Sequence, residues 1–232
     1  MTSHHFPGLH RSTGVLSMHL ILHNYFRSST STRLRAALNL KGLGYDYVPY
    51  ALKARENEAP AYLAKNPQGL VPSLELEDGS VLTQSLAIME WLDEQFPEPP
   101  LLPQNPLERA RVRALAQMIA LEIHPLNNLR VLEYLTDEFG ADQAGVTRWF
   151  GHWVTTTFGP LEQMLASGSL TGTFCHGDTP GYADCCLYAQ IWNNRRFNID
   201  MTPYPTITRI FEACDALDAF KNAAPMQQPD AA

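Results

Sequence analysis

The chain has 232 residues, 45% of them apolar and 18% charged, with a formal net charge of −7. That length supports one large or two modest domains, each with its own core. An acidic balance without a run of Lys or Arg excludes a nucleic-acid or anionic-membrane surface, and no apolar stretch reaches the roughly 20 residues of a membrane span. Any anionic ligand must therefore be held by a few local cations. Cys175, Cys185, Cys186 and Cys214 form no Cys-x-x-Cys pair and no zinc-like spacing, so we expect free, mostly buried thiols in a reducing compartment and no metal.

Residues 1–17 carry His4, His5, Pro7, Gly8 and His10 without an apolar segment for export, and read as a disordered extension. Residues 18–23 are mostly apolar and bounded, as a short buried strand is. Next comes Tyr25-Phe26-Arg27-Ser28-Ser29-Thr30-Ser31-Thr32-Arg33, and then Leu34, Ala37, Leu38 and Leu40 at helical spacing before Gly42. The hydroxyls thus sit at a helix N-terminus, where free backbone N–H groups and the positive dipole end favour an anion. Arg27 and Arg33 flank this turn, which can equally be a serine-rich helix cap.

Residues 45–50 (Tyr-Asp-Tyr-Val-Pro-Tyr) read as a second strand, made parallel to the first by the intervening helix. Residues 51–65 predict a weak surface helix. Asp78-Gly79 between two alternating runs marks a hairpin, and Pro72 stands at the first position of its leading strand. From Gln84, the residues Leu86, Ile88, Met89, Trp91 and Leu92 form a helical face that runs to Phe96. The order is β-α-β-α-β-β-α. Pro97, Pro99, Pro100, Pro103 and Pro106 then make residues 97–105 a stiff linker between an α/β domain at 18–96 and an all-helical domain at 106–225. In the second domain the pattern predicts one long helix over 107–135, kinked at Pro125, and further helices over 143–166, 181–194 and 205–220. From Asn222 the chain reads as loosely ordered, ending in a tail at 226–232.

A β-α-β-α-β-β-α domain with a turn motif after its first strand and Val71-Pro72 before its third, followed by helices, resembles a cytosolic glutathione transferase: a thioredoxin-like N-terminal domain and an all-α C-terminal domain. The turn at 27–33, Asn66 to Pro72, Gln84-Ser85 and Gly177-Asp178-Thr179-Pro180 with Ala183-Asp184 carry this likeness. Ser28-Ser29-Thr30-Ser31 with Arg33-Leu34-Arg35 is similar to the zeta-class turn, with Thr30 in the slot that usually holds cysteine. Ile123-His124-Pro125, Asn127-Asn128 and Arg195-Arg196-Phe197 resemble the bacterial glutathione-dependent maleylpyruvate isomerases of that class, which carry threonine in that slot. Leu129 departs from their pattern, which has arginine there.

The resemblance implies glutathione as cofactor, a cytoplasmic homodimer, and cis–trans isomerisation of a ring-cleavage dicarboxylate, foremost maleylpyruvate to fumarylpyruvate. Isomerisation of maleylacetoacetate, glutathione conjugation, or a glutathione-binding scaffold without turnover are the alternatives. A redox protein of this fold needs a thiolate at the first helix N-terminus. Here no thiol stands there, so a bound glutathione thiolate would meet Ser28, with Ser29, Thr30 and helix N–H groups beside it. By the same resemblance Gln84 and Ser85 take the γ-glutamyl end and the Val71 backbone the cysteinyl amides, with Gln68 a weaker candidate and Pro72 structural. His124 and Asn128, four apart and so expected on one helix face, touch cofactor and substrate. Arg196 and Arg27 clamp carboxylates, a task suited to the planar guanidinium fork. Gly181 replaces the usual Ser or Thr of a capping box whose Asp184 remains.

Overall fold

The computed structural model describes residues 18–231; the expected extension at 1–17 lies outside them. Four strands form one sheet in the order β2-β1-β3-β4. β1 (Ile21–Asn24) and β2 (Asp46–Pro49) are parallel and are joined by α1 (Ser29–Leu40), since only a crossover lets consecutive strands run in one direction. β3 (Ser73–Glu75) lies antiparallel to β1, with Leu74 opposite Leu22. β4 (Val81–Thr83) returns through the expected turn, where Gly79 takes a φ of +84° that suits glycine. α3 (Ser85–Gln95) closes the domain. Leu34, Ala37 and Leu38 of α1 and Ile88, Met89 and Leu92 of α3 share one core with Leu22 and Leu74.

Residues 51–65 form no continuous helix. Two 3-10 turns, Leu52–Ala54 and Glu56–Glu58, and a short α2 (Pro60–Leu63) stand there instead. The segment has too few apolar residues for a helical stripe, and Arg55 takes a left-handed φ of 58° between the turns. Lys41 Nζ, at the end of α1, donates to Asp93 Oδ1, Phe96 O and, in the linker, Pro99 O, each at 2.6 Å. The Asp93 carboxylate in turn accepts from Leu101 N and Leu102 N. One buried ion pair thus fixes the path between the two layers.

α4 (Pro106–Glu122), α5 (Leu129–Phe139), α6 (Gln143–Ser167), α7 (Tyr182–Arg196), α8 (Pro205–Asp215) and α9 (Asp218–Lys221) follow. α7 packs against α1, α4 and α8 and is buried from Tyr182 to Ile191, as expected of a helix enclosed on all sides. At its start Asp184 accepts from Gly181 N at 2.9 Å and Cys175 N at 2.8 Å. A Cβ on Gly181 would lie 2.6 Å from Leu101 O, which is why glycine replaces the expected Ser or Thr.

Three further expectations are corrected. Residues 107–135 form two helices, α4 and α5, separated by residues 123–128. Pro125 offers no N–H to continue the helix, and Asn128 caps the next one by accepting from Arg130 N at 3.2 Å. Residues 205–220 likewise divide into α8 and α9 at Leu217, whose backbone is extended. The segment from Asn222 to Ala231 is docked. Gln228 Nε2 donates to Asn222 O and Ala224 O, and Asp230 accepts from Phe26 N at 3.0 Å and from the Tyr47 hydroxyl. Its polar composition concealed these contacts, most of which run to backbone atoms.

Candidate active site

α1 begins directly beneath a cavity of about 310 Å³ between the sheet domain and the helices. Ser28 is its N-cap, with Oγ accepting from Ser31 N at 3.2 Å. Ser28 Oγ lies 2.7 Å from Thr30 Oγ1, and Thr30 Oγ1 donates to Val71 O at 2.9 Å. These bonds tie the start of α1 to the loop before β3. That loop is held from behind, because Leu70 O accepts from Tyr62 Oη at 2.6 Å and from Asn66 Nδ2 at 2.7 Å. The Val71-Pro72 bond is cis.

Arg27, Ser28, Ser29, Thr30, Gln68, Val71, His124, Asn128 and Arg196 all line the cavity. Gln84 and Ser85 are not among its lining residues. Gln84 reaches it indirectly, donating from Nε2 to Gln68 Oε1 at 2.9 Å, and carries a φ of +67° that is unusual for a side-chain-bearing residue and marks local strain. Ser85 is buried at the N-terminus of α3, where Gln84 makes no side-chain cap. Arg33, expected to flank the turn, instead lies in the interior, 2% exposed.

His124 and Asn128 meet by a different route from the one expected. They occupy the break between α4 and α5, not one helix face, and Asn128 Nδ2 lies 3.4 Å from His124 Nε2. α6 holds the break in place: Trp149 Nε1 donates to Leu126 O at 2.8 Å, and Phe150 O accepts from Asn127 Nδ2 at 3.1 Å. His124 Nδ1 is 3.1 Å from Ser29 Oγ, linking the two domains across the cavity.

Loss of solvation, followed by the charges of Arg33 and Arg130, pushes the His124 pKa down from 6.5 to about 3. Burial also lowers the pKa of His23, in β1. Between these values the unfolded chain binds the proton and the folded chain does not, so stability rises with pH there. The contribution of His124 is complete above about 6.5 and is lost as the pH falls toward about 3. Urea midpoints compared at neutral and acidic pH test this: His124→Gln should lose less stability on acidification than the parent, and an equal loss in both proteins would contradict a depressed pKa.

Arg27 donates from Nε and Nη2 to Tyr25 Oη at 3.3 and 3.1 Å, with its guanidinium 4.9 Å from the Phe26 ring centroid. Arg196, at the last turn of α7, stands 5.1 Å over the Phe197 ring. Desolvation and the adjacent Arg27 both lower its pKa. Among the described residues neither arginine has a carboxylate partner, whereas Arg55 is paired with Glu58 and Glu133. The cavity thus offers two neighbouring guanidinium groups that pair with no carboxylate among the described residues. Lys53, Asn127, Arg130 and Asn193 also line it and were not proposed from sequence; the capping signal of Asn128 before Leu129 could have brought Arg130 to notice, whereas Lys53 carries no pattern.

The glutathione S-transferase N-terminal domain family matches residues 27–95. Over 211 residues the chain is 50% identical to a maleylpyruvate isomerase from a Ralstonia species, covering 91% of this chain and 99% of that one. The solved holo structure of maleyl pyruvate isomerase, described as a bacterial glutathione-S-transferase in the zeta class, superposes with a TM-score of 0.89 at 50% identity, over 91% of this chain and 100% of that one. A maleylacetoacetate isomerase from Anaeromyxobacter dehalogenans 2CP-1, solved with bound dicarboxyethyl glutathione and citrate, gives a TM-score of 0.83 at 43% identity over 93% and 99%.

Proposed function

The chain belongs to the zeta class of the glutathione transferase family, and from that premise we propose that it is a glutathione-dependent cis–trans isomerase converting maleylpyruvate to fumarylpyruvate. The observation that carries the reading is the cavity itself: a hydroxyl-rich helix N-terminus without a thiol, and two arginines without anionic partners among the described residues.

The donor set fits glutathione. Val71 N–H makes no hydrogen bond among the described residues while its carbonyl is taken by Thr30, so one backbone donor is left for an extended peptide. The first turn of α3 lacks a side-chain cap, which suits a carboxylate. Val71, Gln68, Gln84 and Ser85 would hold the tripeptide, and Ser28, Ser29 and Thr30 would surround its sulfur. Glutathione supplies a thiolate that adds to the cis double bond and leaves again, so that the bond rotates as a single bond in between. Arg27 and Arg196 fix the substrate carboxylates and oppose the negative charge that develops on the substrate, a charge absent from the ground state. His124, neutral throughout, and Asn128 orient polar groups at the domain boundary, where the loop between α4 and α5 keeps them rigid.

Leu129 on the cavity wall, in a position expected to hold arginine, favours maleylacetoacetate as a second reading. Parallel assays on the two substrates, with and without glutathione, separate them. We expect isomerisation only with glutathione, and the higher kcat/KM with maleylpyruvate. Glutathione binding by calorimetry without turnover of either substrate would identify a scaffold instead. We also propose a cytoplasmic homodimer. In support of a reducing compartment, the four cysteines are free and buried.

A further inference from the structure

We propose that Asp230, near the end of the chain, is a positioning residue for the isomerisation: it fixes the backbone of Phe26, and through it the direction in which Arg27 meets a substrate carboxylate. This rests on the reading of Arg27 as a clamp for the substrate and concerns what holds that clamp.

The turn before α1 is closed at its ends, where Ser28 N donates to Tyr25 O at 3.1 Å. A turn held only there can still tilt about its two ends, and Arg27 would tilt with it. Phe26, in the middle of the turn, prevents this because both of its backbone polar groups are taken from outside. Its N–H donates to Asp230 Oδ2 at 3.0 Å, and its carbonyl accepts from Arg35 Nη2 at 2.9 Å. The Arg27 side chain then lies on the residues so fixed. It donates to Tyr25 Oη, its guanidinium stands 4.9 Å from the Phe26 ring centroid, and the two rings meet edge to face at 4.8 Å. Neither Phe26 nor Asp230 lines the cavity, so Asp230 acts through the turn and not on a ligand.

The path of the chain brings Asp230 to this place and keeps it there. Phe220, Ala223 and Ala224 are buried, and Asn39 Nδ2 of α1 donates to Ala219 O at 2.8 Å. Gln228, itself buried, closes the last bend onto Asn222 O and Ala224 O. The second Asp230 oxygen accepts from the Tyr47 hydroxyl of β2, and the carboxylate charge opposes the lowering of the Arg35 pKa by burial. A backbone N–H held by a carboxylate makes a charge-assisted bond, shorter and stronger than a neutral one, which suits a contact that must hold a chain end.

Steady-state kinetics with maleylpyruvate at saturating glutathione test this, in the parent, Asp230→Ala, Asp230→Asn, Arg27→Ala and the double variant Arg27→Ala/Asp230→Ala, with glutathione affinity measured by calorimetry. We expect Asp230→Ala to lower kcat/KM about tenfold, mostly through KM, while glutathione affinity stays within about twofold. Asp230→Asn, whose Oδ1 can still accept from Phe26 N while its Nδ2 faces Tyr47 Oη, should keep most of the parent value. In the Arg27→Ala background the loss of Asp230 should cost no more than about twofold, because its effect passes through an arginine already gone. Equal losses with Arg27 present and absent, an unchanged kcat/KM in folded Asp230→Ala, or an Asp230→Asn as impaired as Asp230→Ala would each overturn the proposal. If circular dichroism shows that Asp230→Ala does not fold, the same cycle is run with Asp230→Glu, whose longer side chain cannot keep its carboxylate on both Phe26 N and Tyr47 Oη. Arg27→Ala kinetics equal to those of the parent would instead overturn the reading of Arg27 on which the proposal stands.

Discussion

Arg196→Ala should lower kcat/KM for maleylpyruvate by about 10²- to 10³-fold, roughly 3–4 kcal/mol of lost transition-state stabilisation, while calorimetric glutathione affinity stays within about twofold. The reason is electrostatic. Arg27 and Arg196 are close enough that the first depresses the pKa of the second, and neither is neutralised by a carboxylate among the described residues. A dicarboxylate relieves that repulsion on binding, and charge developing near the guanidinium during reaction relieves it further. Arg196→Lys should give an intermediate loss, because an ammonium keeps the charge but not the planar fork. Glutathione is spared because the residues proposed to hold it, around Val71 and Gln68, belong to the other domain. Kinetics indistinguishable from the parent would remove Arg196 from the substrate site.

What the sequence disclosed and what it hid differ in physical kind. The turn at 27–33 was legible because hydroxyls stood directly before an apolar helical repeat, and the β3-β4 hairpin because Asp78-Gly79 is a strong local turn signal. Both depend on neighbours in the chain. The break between α4 and α5 was misread because apolar residues, among them Ile119, Ile123 and Leu132, continue on both sides of Pro125. Periodicity alone does not distinguish a kink from two helices. The clue available was Asn127-Asn128, since Asn before an apolar run is an N-cap signal. His124 and Asn128 were paired correctly on an incorrect premise: their contact passes through a loop that Trp149 and Asn127 hold against α6.

The contacts that stayed out of reach are those between distant parts of the chain. Ser29 with His124 spans the two domains, and Asp230 with Phe26 joins the two ends of the described chain. Phe26 precedes Arg27, so the docked C-terminal segment holds the backbone that carries one of the two cavity arginines. Nothing in the composition of residues 222–231 reports this, because most of the bonds end on main-chain atoms. Arg33 and Arg35 were likewise indistinguishable as members of one short motif. Among the described residues one is buried with its Nε unpaired, and the other is buried with six hydrogen bonds.

Arg35 is therefore the residue whose loss should cost the most stability. It is fully buried, and burial lowers its pKa, an effect that Tyr47, Tyr45 and Asp230 oppose. Its guanidinium donates to Ala223 O at 3.1 and 3.0 Å, Phe26 O at 2.9 Å, Thr32 Oγ1 at 2.9 Å, Asn24 Oδ1 at 2.8 Å and Tyr25 O at 3.4 Å. One side chain thereby joins β1, the turn, α1 and the C-terminal segment. Arg35→Met keeps the length of the side chain but leaves several buried acceptors without donors, each worth about 1–3 kcal/mol, so we expect a total loss of about 3–5 kcal/mol. Arg35→Lys should recover part of it, since an ammonium can reach only some of these oxygens. Urea midpoints measure the loss, and limited proteolysis locates it. With Ala223 O and Phe26 O released together, cleavage should appear first in residues 222–231, and the KM for the dicarboxylate should rise as Arg27 loses its support. A variant within about 1 kcal/mol of the parent, with the C-terminal segment still protected, would show that water or repacking satisfies these carbonyls and that Arg35 does not hold the turn.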